Sequence, residues 1–464
     1  MSTSTSTSTN TDTRMQAVYD YIDAHAAEFT ERLQMLCRQP SVAAQSWGMA
    51  ETAAMVKGHI DALGLGEAEL LPVREGFPVV YAKLPGAGTK TLNFYNHYDV
   101  QPAEPLDLWE SDPWGAEIRD GKLYARGVSD NKGNTVARFC ALEALKAVTG
   151  GIPCTVQFFV EGEEEIGSVH LHNFVEDYAH LIPADACIWE FGGKDASERL
   201  SMSLGLRGIC YVELRCRGAN TDLHSSVANG VVNPAWRLVW ALASIKSPNG
   251  RVLIPGFYDD VLPAPPEAVI ALEEMPNNDA TFLRRVGLTQ YLDGLTGVPL
   301  RVRDRFQPTC TISGIESGYT GVGTKTVLPS VATAKVDMRL APGMTPEATF
   351  ERFRAHLDAQ GFTDVELELL SAERPGMSPL DSEIVRVTVE TAREIYGSEP
   401  VIDPINPGSG PNYLLCDKFG IPMAGAGVGY SESRAHAPNE NIRVADYIQG
   451  IKHMALLLTR YGAT

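Results

Sequence analysis

The chain has 464 residues, 44% of them hydrophobic and 21% charged, with a formal net charge of −19. That length suits two domains or three rather than one core, and the acidic balance excludes a phosphate-binding surface of the nucleic-acid type. Eight cysteines are scattered without a CxxC pair, a usage that fits reduced thiols in a cytoplasm, and no apolar run has the length of a membrane span.

The opening MSTSTSTSTNTDTR is low-complexity Ser/Thr with no apolar stretch of the signal-peptide kind. Residues 1–13 are expected to form a disordered tail. Apolar positions at Met15, Val18, Tyr19 and Ile22 begin a helix expected to reach about residue 37, where QPSV ends it. A second helix is expected over about residues 50–63. PVVYAKL and KTLNFYNHY read as strands, residues 131–148 as a helix, and CTVQFFVE and ADACIWE as further strands. Strands alternating with helices indicate an α/β sheet covered on both faces.

The pattern changes at LGLRG, residues 204–208. GICYVELRCRG alternates, with Tyr211 and Glu213 facing away from Val212 and Leu214. A helix over about residues 234–244 follows, then an irregular Pro/Gly-rich section over roughly 248–300. ATAKVDMRLAP is a strand, TPEATFERFRAHLDAQG a capped helix and DVELELL a strand. These make a separate α+β unit, expected at 207–376, inserted into a main domain formed by 14–206 and 377–464. The main domain closes with a helix over 444–461.

Carboxylates and histidines gather at the ends of the main-domain strands. CTVQFFVEGEEEIGS crowds Glu161, Glu163, Glu164 and Glu165 into one turn. Crowded like charges raise one another's pKa, so the turn is either well solvated or neighbours a cation. NFYNHYDVQP ends a strand on His97, with Asp99 two residues on; a ligand histidine needs its second ring nitrogen oriented, and a carboxylate does that. A satisfied core histidine is the competing reading. Asp130 in DGKLYARGVSDNKG stands before a helix, where an N-cap is an equal alternative. Glu190 ends the strand ADACIWE, and His436 lies in the polar loop of SESRAHAPNENI. Two imidazoles and three carboxylates form the N/O donor set of a Zn²⁺ or Mn²⁺ site. The charges of two divalent ions would balance Asp130, Glu165, Glu190 and one hydroxide.

HYDVQP, DGKLYARGVSDNKG, EGEEEIGS, TDLHSS and HAPNENI occur in this order. With them, nearly the whole chain after the tail resembles the M20 family of metallopeptidases. That family includes carnosinase-like and cytosolic dipeptidases and the acetylornithine deacetylase and succinyl-diaminopimelate desuccinylase enzymes. The resemblance implies a zinc-peptidase-like α/β catalytic domain, a mixed sheet flanked by helices, with an inserted ferredoxin-like lid that makes a homodimer. It implies two divalent ions, Zn²⁺ first and Mn²⁺ or Co²⁺ as alternatives. His97 and His436 would each bind one ion, Asp130 would bridge them, and Glu165 and Glu190 would complete the two shells. Asp99 would orient His97 and Glu164 would be the general base, leaving Glu161 and Glu163 structural or solvated. From the lid, His224 would face the developing oxyanion, usually in the partner's site. Thr326, Arg339 and Ser409 would hold the substrate, Arg339 being suited to clamp a carboxylate.

The chain departs from the family pattern in three places. Glu190 stands where many relatives carry Asp, Asn131 follows the bridging Asp where Asp is common, and GSGP replaces the dipeptidase-type GGSIP. A cis peptide at Asp130–Asn131 is expected from the same resemblance. The implied function is dinuclear metal-dependent hydrolysis of a peptide bond in dipeptides or short peptides. The alternatives are an N-acyl amino-acid deacylase of the same fold and, more remotely, a non-catalytic binding protein. A Ser/His/Asp hydrolase lacks its G-x-S-x-G elbow.

Overall fold

The computed structural model describes the chain from residue 5 to residue 464, with side chains described from residue 13. A six-stranded sheet runs in the spatial order Ala68–Leu71, Val79–Leu84, Thr155–Glu161, Thr91–His97, Ala186–Trp189, Met423–Gly425. The last four strands are parallel and the first two antiparallel. The central strands are buried along nearly their whole length, which is why they read as near-continuous apolar runs. On one face Phe94, Phe158 and Ile188 join the core under helices Gly133–Thr149 and Val444–Gly462. On the other, Tyr95, Phe159 and Trp189 pack with the helix Leu171–Tyr178. The parallel register sets His97 beside Glu161, so the strands deliver their last residues to one edge of the sheet. In open α/β sheets that carboxyl edge is where ligands bind.

The four main strands of a second sheet are antiparallel, in the order Thr311–Ser317, Val331–Leu340, Gly205–Arg217, Glu366–Glu373. Its alternating residues Cys210, Val212, Leu214, Val336 and Met338 face a core of their own with Leu238 and Phe353. Those two come from helices Pro234–Ile245 and Pro346–Ala359. The strand Gly205–Arg217 joins the two units. Its first residues pair with Gly376–Met377 and Asn406–Ser409, and the rest enters the second sheet. Arg305 and Asp403 form a buried two-pronged ion pair across the same seam.

Three expectations change. Residues 1–4 of the expected tail lie outside the described residues, and from Thr5 the chain is helical, as Thr5–Ala24. Extending a helix backwards from the packed positions Met15, Val18 and Ile22 needs propagation and no new nucleus. The single helix expected to residue 37 is two, Thr5–Ala24 and Ala26–Arg38. It breaks at His25, whose ring stacks on Tyr21 and bonds its carbonyl at 2.9 Å. The irregular section over 248–300 contains the helices Pro266–Glu274 and Asp279–Val286 and the start of Gly297–Phe306. Pro266 sits at the start of its helix, where proline favours initiation. No helix among the described residues is long and apolar enough to cross a membrane.

Candidate metal centre

Six side chains converge at the carboxyl edge of the main sheet. His97 Nε2 lies 3.1 Å from Asp130 Oδ1, 3.5 Å from Glu190 Oε2 and 3.9 Å from Glu164 Oε2. His436 Nε2 lies 3.1 Å from Asp130 Oδ2 and 3.0 Å from Glu165 Oε2. Asp130 thus presents one oxygen to each imidazole. The cluster divides into His97 with Glu190 on one side and His436 with Glu165 on the other. Ligand atoms of His97, Asp130 and Glu165 all fall within 4.8 Å of one another.

Each residue has a local reason for its place. His97 and Glu190 leave the ends of neighbouring parallel strands. Asp130 lies in a turn entered through Gly127, at φ 83°. A Cβ there would come within 2.3 Å of Val100 Cγ1. The Asp130–Asn131 peptide is cis. His436 is at φ 61°, an uncommon conformation outside glycine. Asp99 is fully buried and does two jobs. Its main-chain oxygen lies 3.0 Å and its Oδ1 3.3 Å from His97 Nδ1. Its carboxylate also accepts from the main-chain N–H groups of Glu164 and Glu165, at 3.2 and 2.9 Å. The acidic turn is therefore held by a carboxylate as well as built from them.

Glu161 and Glu163 are structural, and they are buried rather than solvated. Glu161 accepts from Tyr95 Oη at 2.5 Å and Ser168 Oγ at 2.9 Å. Glu163 lies 3.0 Å from His170 Nδ1 and accepts from the His170 main-chain N–H at 3.2 Å.

The electrostatics are those of a cluster with excess negative charge. Burial, reinforced by Glu190, raises Glu164 well above the usual carboxylate range. Burial likewise pushes Glu190 up to about 8. Burial opposes charge on His97, but Glu190 and Asp130 outweigh it and raise its pKa. Hydrogen bonds to Asp130 and Glu165 push His436 up to about 10. Burial would raise Asp130, yet the bonds from His436 and His97 prevail and hold it below its ordinary value. Glu190 Oε2 is buried without a hydrogen-bond partner, and a buried acceptor left bare is costly. Four carboxylates around two imidazoles, one oxygen unsatisfied, form a donor set that fits divalent cations with N/O preference.

The remaining expected site residues are placed differently. Ser409 donates from Oγ to the Gly208 carbonyl at 3.1 Å. A Cβ on the adjacent Gly410 would lie 4.0 Å from Glu164 Oε1, so this loop borders the cluster. His224 and Thr326 meet each other at 3.3 Å on the second unit. The ring of His224 otherwise contacts Ser226, and His224 is exposed. Arg339 lies on the second sheet, its Nε 3.3 Å from Asp337.

Sequence reasoning missed the support beneath the clustered side chains. Asn131 Nδ2 donates to the Glu190 carbonyl at 2.8 Å, and Asn131 Oδ1 accepts from Asn96. Asn96 in turn accepts from Arg138, whose guanidinium also caps the carbonyls of Tyr95 and Trp189 at 2.6 and 2.5 Å. An arginine inside the otherwise apolar run VARFCAL was the available signal.

The model of peptidase family M20/M25/M40 matches residues 93–460. The chain is 28% identical to the Beta-Ala-His dipeptidase of Rattus norvegicus, across 95% of this chain and 94% of the relative. It is also 28% identical to the Cys-Gly metallodipeptidase dug1 of Schizosaccharomyces pombe, across 94% and 96%. Among solved structures, the M20 family metallo-carboxypeptidase Sso-CP2 from Sulfolobus solfataricus superposes with a TM-score of 0.90 at 36% identity. That alignment covers 94% of this chain and all of the other. Five motifs in order, a mixed sheet with a His/Asp/Glu cluster at its carboxyl edge and these matches agree: the chain belongs to peptidase family M20/M25/M40.

Proposed function

We propose that the protein is a dinuclear metal-dependent dipeptidase. The observation that carries this is Asp130, whose two oxygens each face one histidine, at 3.1 Å on both sides. His97, Asp130 and Glu190 would hold one cation, and His436, Asp130 and Glu165 the other. Bound there, two divalent ions would lower the pKa of a shared water and polarise the scissile carbonyl. The donor set favours Zn²⁺, with Mn²⁺ and Co²⁺ as alternatives.

Of the three carboxylates facing His97 Nε2, Glu164 is the farthest, at 3.9 Å, and it is the acid left over once each cation has its ligands. It takes a proton from the attacking water and returns it to the leaving amine. Burial and Glu190 raise its proton affinity, which makes the ionised carboxylate a stronger acceptor for the water's proton. Asp99 fixes the Glu164 main chain and orients His97 in one contact set.

The unit at 207–376 acts as a lid that carries His224, Thr326 and Arg339 to the substrate. Arg339 suits the substrate's terminal carboxylate, with Ser409 beside it. His224 has no ligand-cluster partner among the described contacts of its own chain, which favours action in the partner's site of a homodimer. Exposed apolar side chains on this unit support pairing: Trp236 and Trp240 stack at 5.9 Å and are each more than half exposed. Eight free, buried thiols support a reducing cytoplasm.

The relation to Sso-CP2, a metallo-carboxypeptidase, supports a second reading, removal of C-terminal residues from longer peptides. Initial rates of the metal-loaded protein on dipeptides, longer peptides and N-acyl amino acids separate the readings. Chelator-sensitive turnover of dipeptides is expected. Turnover of longer peptides alone would install the carboxypeptidase reading, and of N-acyl amino acids alone a deacylase.

A further inference from the structure

Glu440 lies in the HAPNENI loop, four residues beyond His436, and is 1% exposed. Its carboxylate is fully engaged by the loop that carries Asp130. Oε1 accepts the main-chain N–H groups of Ser129 and Asp130 at 2.9 and 3.1 Å. Oε2 accepts the Gly127 N–H at 3.0 Å and Arg126 Nη1 at 2.6 Å. Arg126 is equally buried, and its other terminal nitrogen donates to the Pro102 carbonyl at 3.2 Å. Its guanidinium also lies over the Trp109 ring, 5.4 Å from the centroid.

One carboxylate and one guanidinium thus tie together three loops. The loop after His97 is reached through Pro102, the Asp130 loop through three N–H groups, and the His436 loop through the backbone of Glu440 itself. A buried ion pair of this kind contributes little net stability over an apolar replacement. Its value is geometric, because three charge-assisted bonds from main-chain N–H groups fix the Asp130 loop to the segment that bears His436.

We propose that Glu440, with Arg126, is a positioning residue that sets the spacing between the two halves of the cluster, holding Asp130 where each of its oxygens faces one imidazole. This rests on the dinuclear reading of the site. Supporting residues behind ligands commonly govern metal affinity by 10–100-fold. In Glu440→Gln the amide NH₂ meets N–H donors where an oxygen had accepted, so the Asp130 loop loses its fixed register.

The test loads the protein with Mn²⁺ alone and reads the spin coupling of the metal pair, the stepwise affinities by calorimetry, and kcat and KM on one dipeptide. The wild type is expected to give a coupled two-manganese signal. Glu440→Gln is expected to give uncoupled manganese, to lose about 10- to 100-fold in affinity for one equivalent, and to lower kcat more than KM. Arg126→Lys keeps the charge beside Glu440 but loses the Pro102 contact, and an intermediate loss is expected; it also serves if Glu440→Gln does not fold. A coupled signal with wild-type affinities and kcat in either folded variant would overturn the proposal. Absence of coupling in the wild type would instead overturn the dinuclear reading.

Discussion

His97 and His224 show how differently the two parts of the site are made. His97 is fully buried, has partners on both ring nitrogens and leaves a strand clamped between parallel neighbours. His224 is exposed at the end of a two-residue strand, and its ring meets only Ser226 and Thr326 among its described partners. The first belongs to a cluster assembled by the fold itself, in which Asp99, Asn131 and Glu440 fix the main chains of Glu165, Glu190 and Asp130. The second lies on an exposed surface of the second unit, as its proposed part in closing over a substrate requires. Chemistry at fixed distances calls for the former, and substrate admission and lid closure for the latter.

This comparison can be broken from either side. The largest effect is expected at the centre: Asp130→Ala removes the oxygens facing both imidazoles. Turnover should fall by about 10⁴-fold or more, a loss of several kcal/mol of transition-state stabilisation, together with metal uptake measured by calorimetry. Next comes the lid. His224→Ala should cost about 10²- to 10³-fold in kcat as a lost oxyanion donor, with both metal equivalents retained. A mixed dimer of His224→Ala with a chain lacking Glu164 should regain one working site if His224 acts on the partner.

The seam between the units supplies a smaller, structural effect. Asp403→Ala strands the buried Arg305 charge and should cost about 3 kcal/mol of stability, read as a lower urea midpoint. The smallest effect is the pH dependence of folding. Burial lowers His59 and His453 to about 4 each, against an ordinary 6.5. Between those values the unfolded chain binds the extra protons, so the contribution of these two histidines is full above about pH 6.5 and declines as pH falls towards 4. The stability of a His453→Gln variant relative to the wild type should therefore improve as pH falls from about 7.5 to about 5, read from paired urea midpoints.

Much of the centre was legible because its residues sit where sequence patterns end. His97 and Glu190 close apolar runs, Asp130 stands between glycines before a helix, and the crowded glutamates follow a strand. The resemblance then assigned roles among Glu161, Glu163, Glu164 and Glu165 that spacing alone left open. The supporting network was not legible. Asn96, Asn131 and Arg138 are plain polar residues until the fold brings them under the ligands, and Glu440 meets partners more than 300 positions away. The mixed α/β class followed from alternation, whereas the strand order depends on long-range pairing that periodicity does not encode. Pro266 and its neighbours hid helices because a proline at a helix start looks, in sequence, like one that interrupts a helix.

The measurement that bears most directly on the account is metal stoichiometry and turnover in Glu164→Gln, taken on one preparation. If the ligand cluster and the proton-transfer group are separate parts, the variant binds two equivalents of metal and loses about 10²- to 10⁴-fold in kcat. Wild-type turnover with two metals bound would contradict that division, and loss of a metal equivalent would make Glu164 a ligand instead.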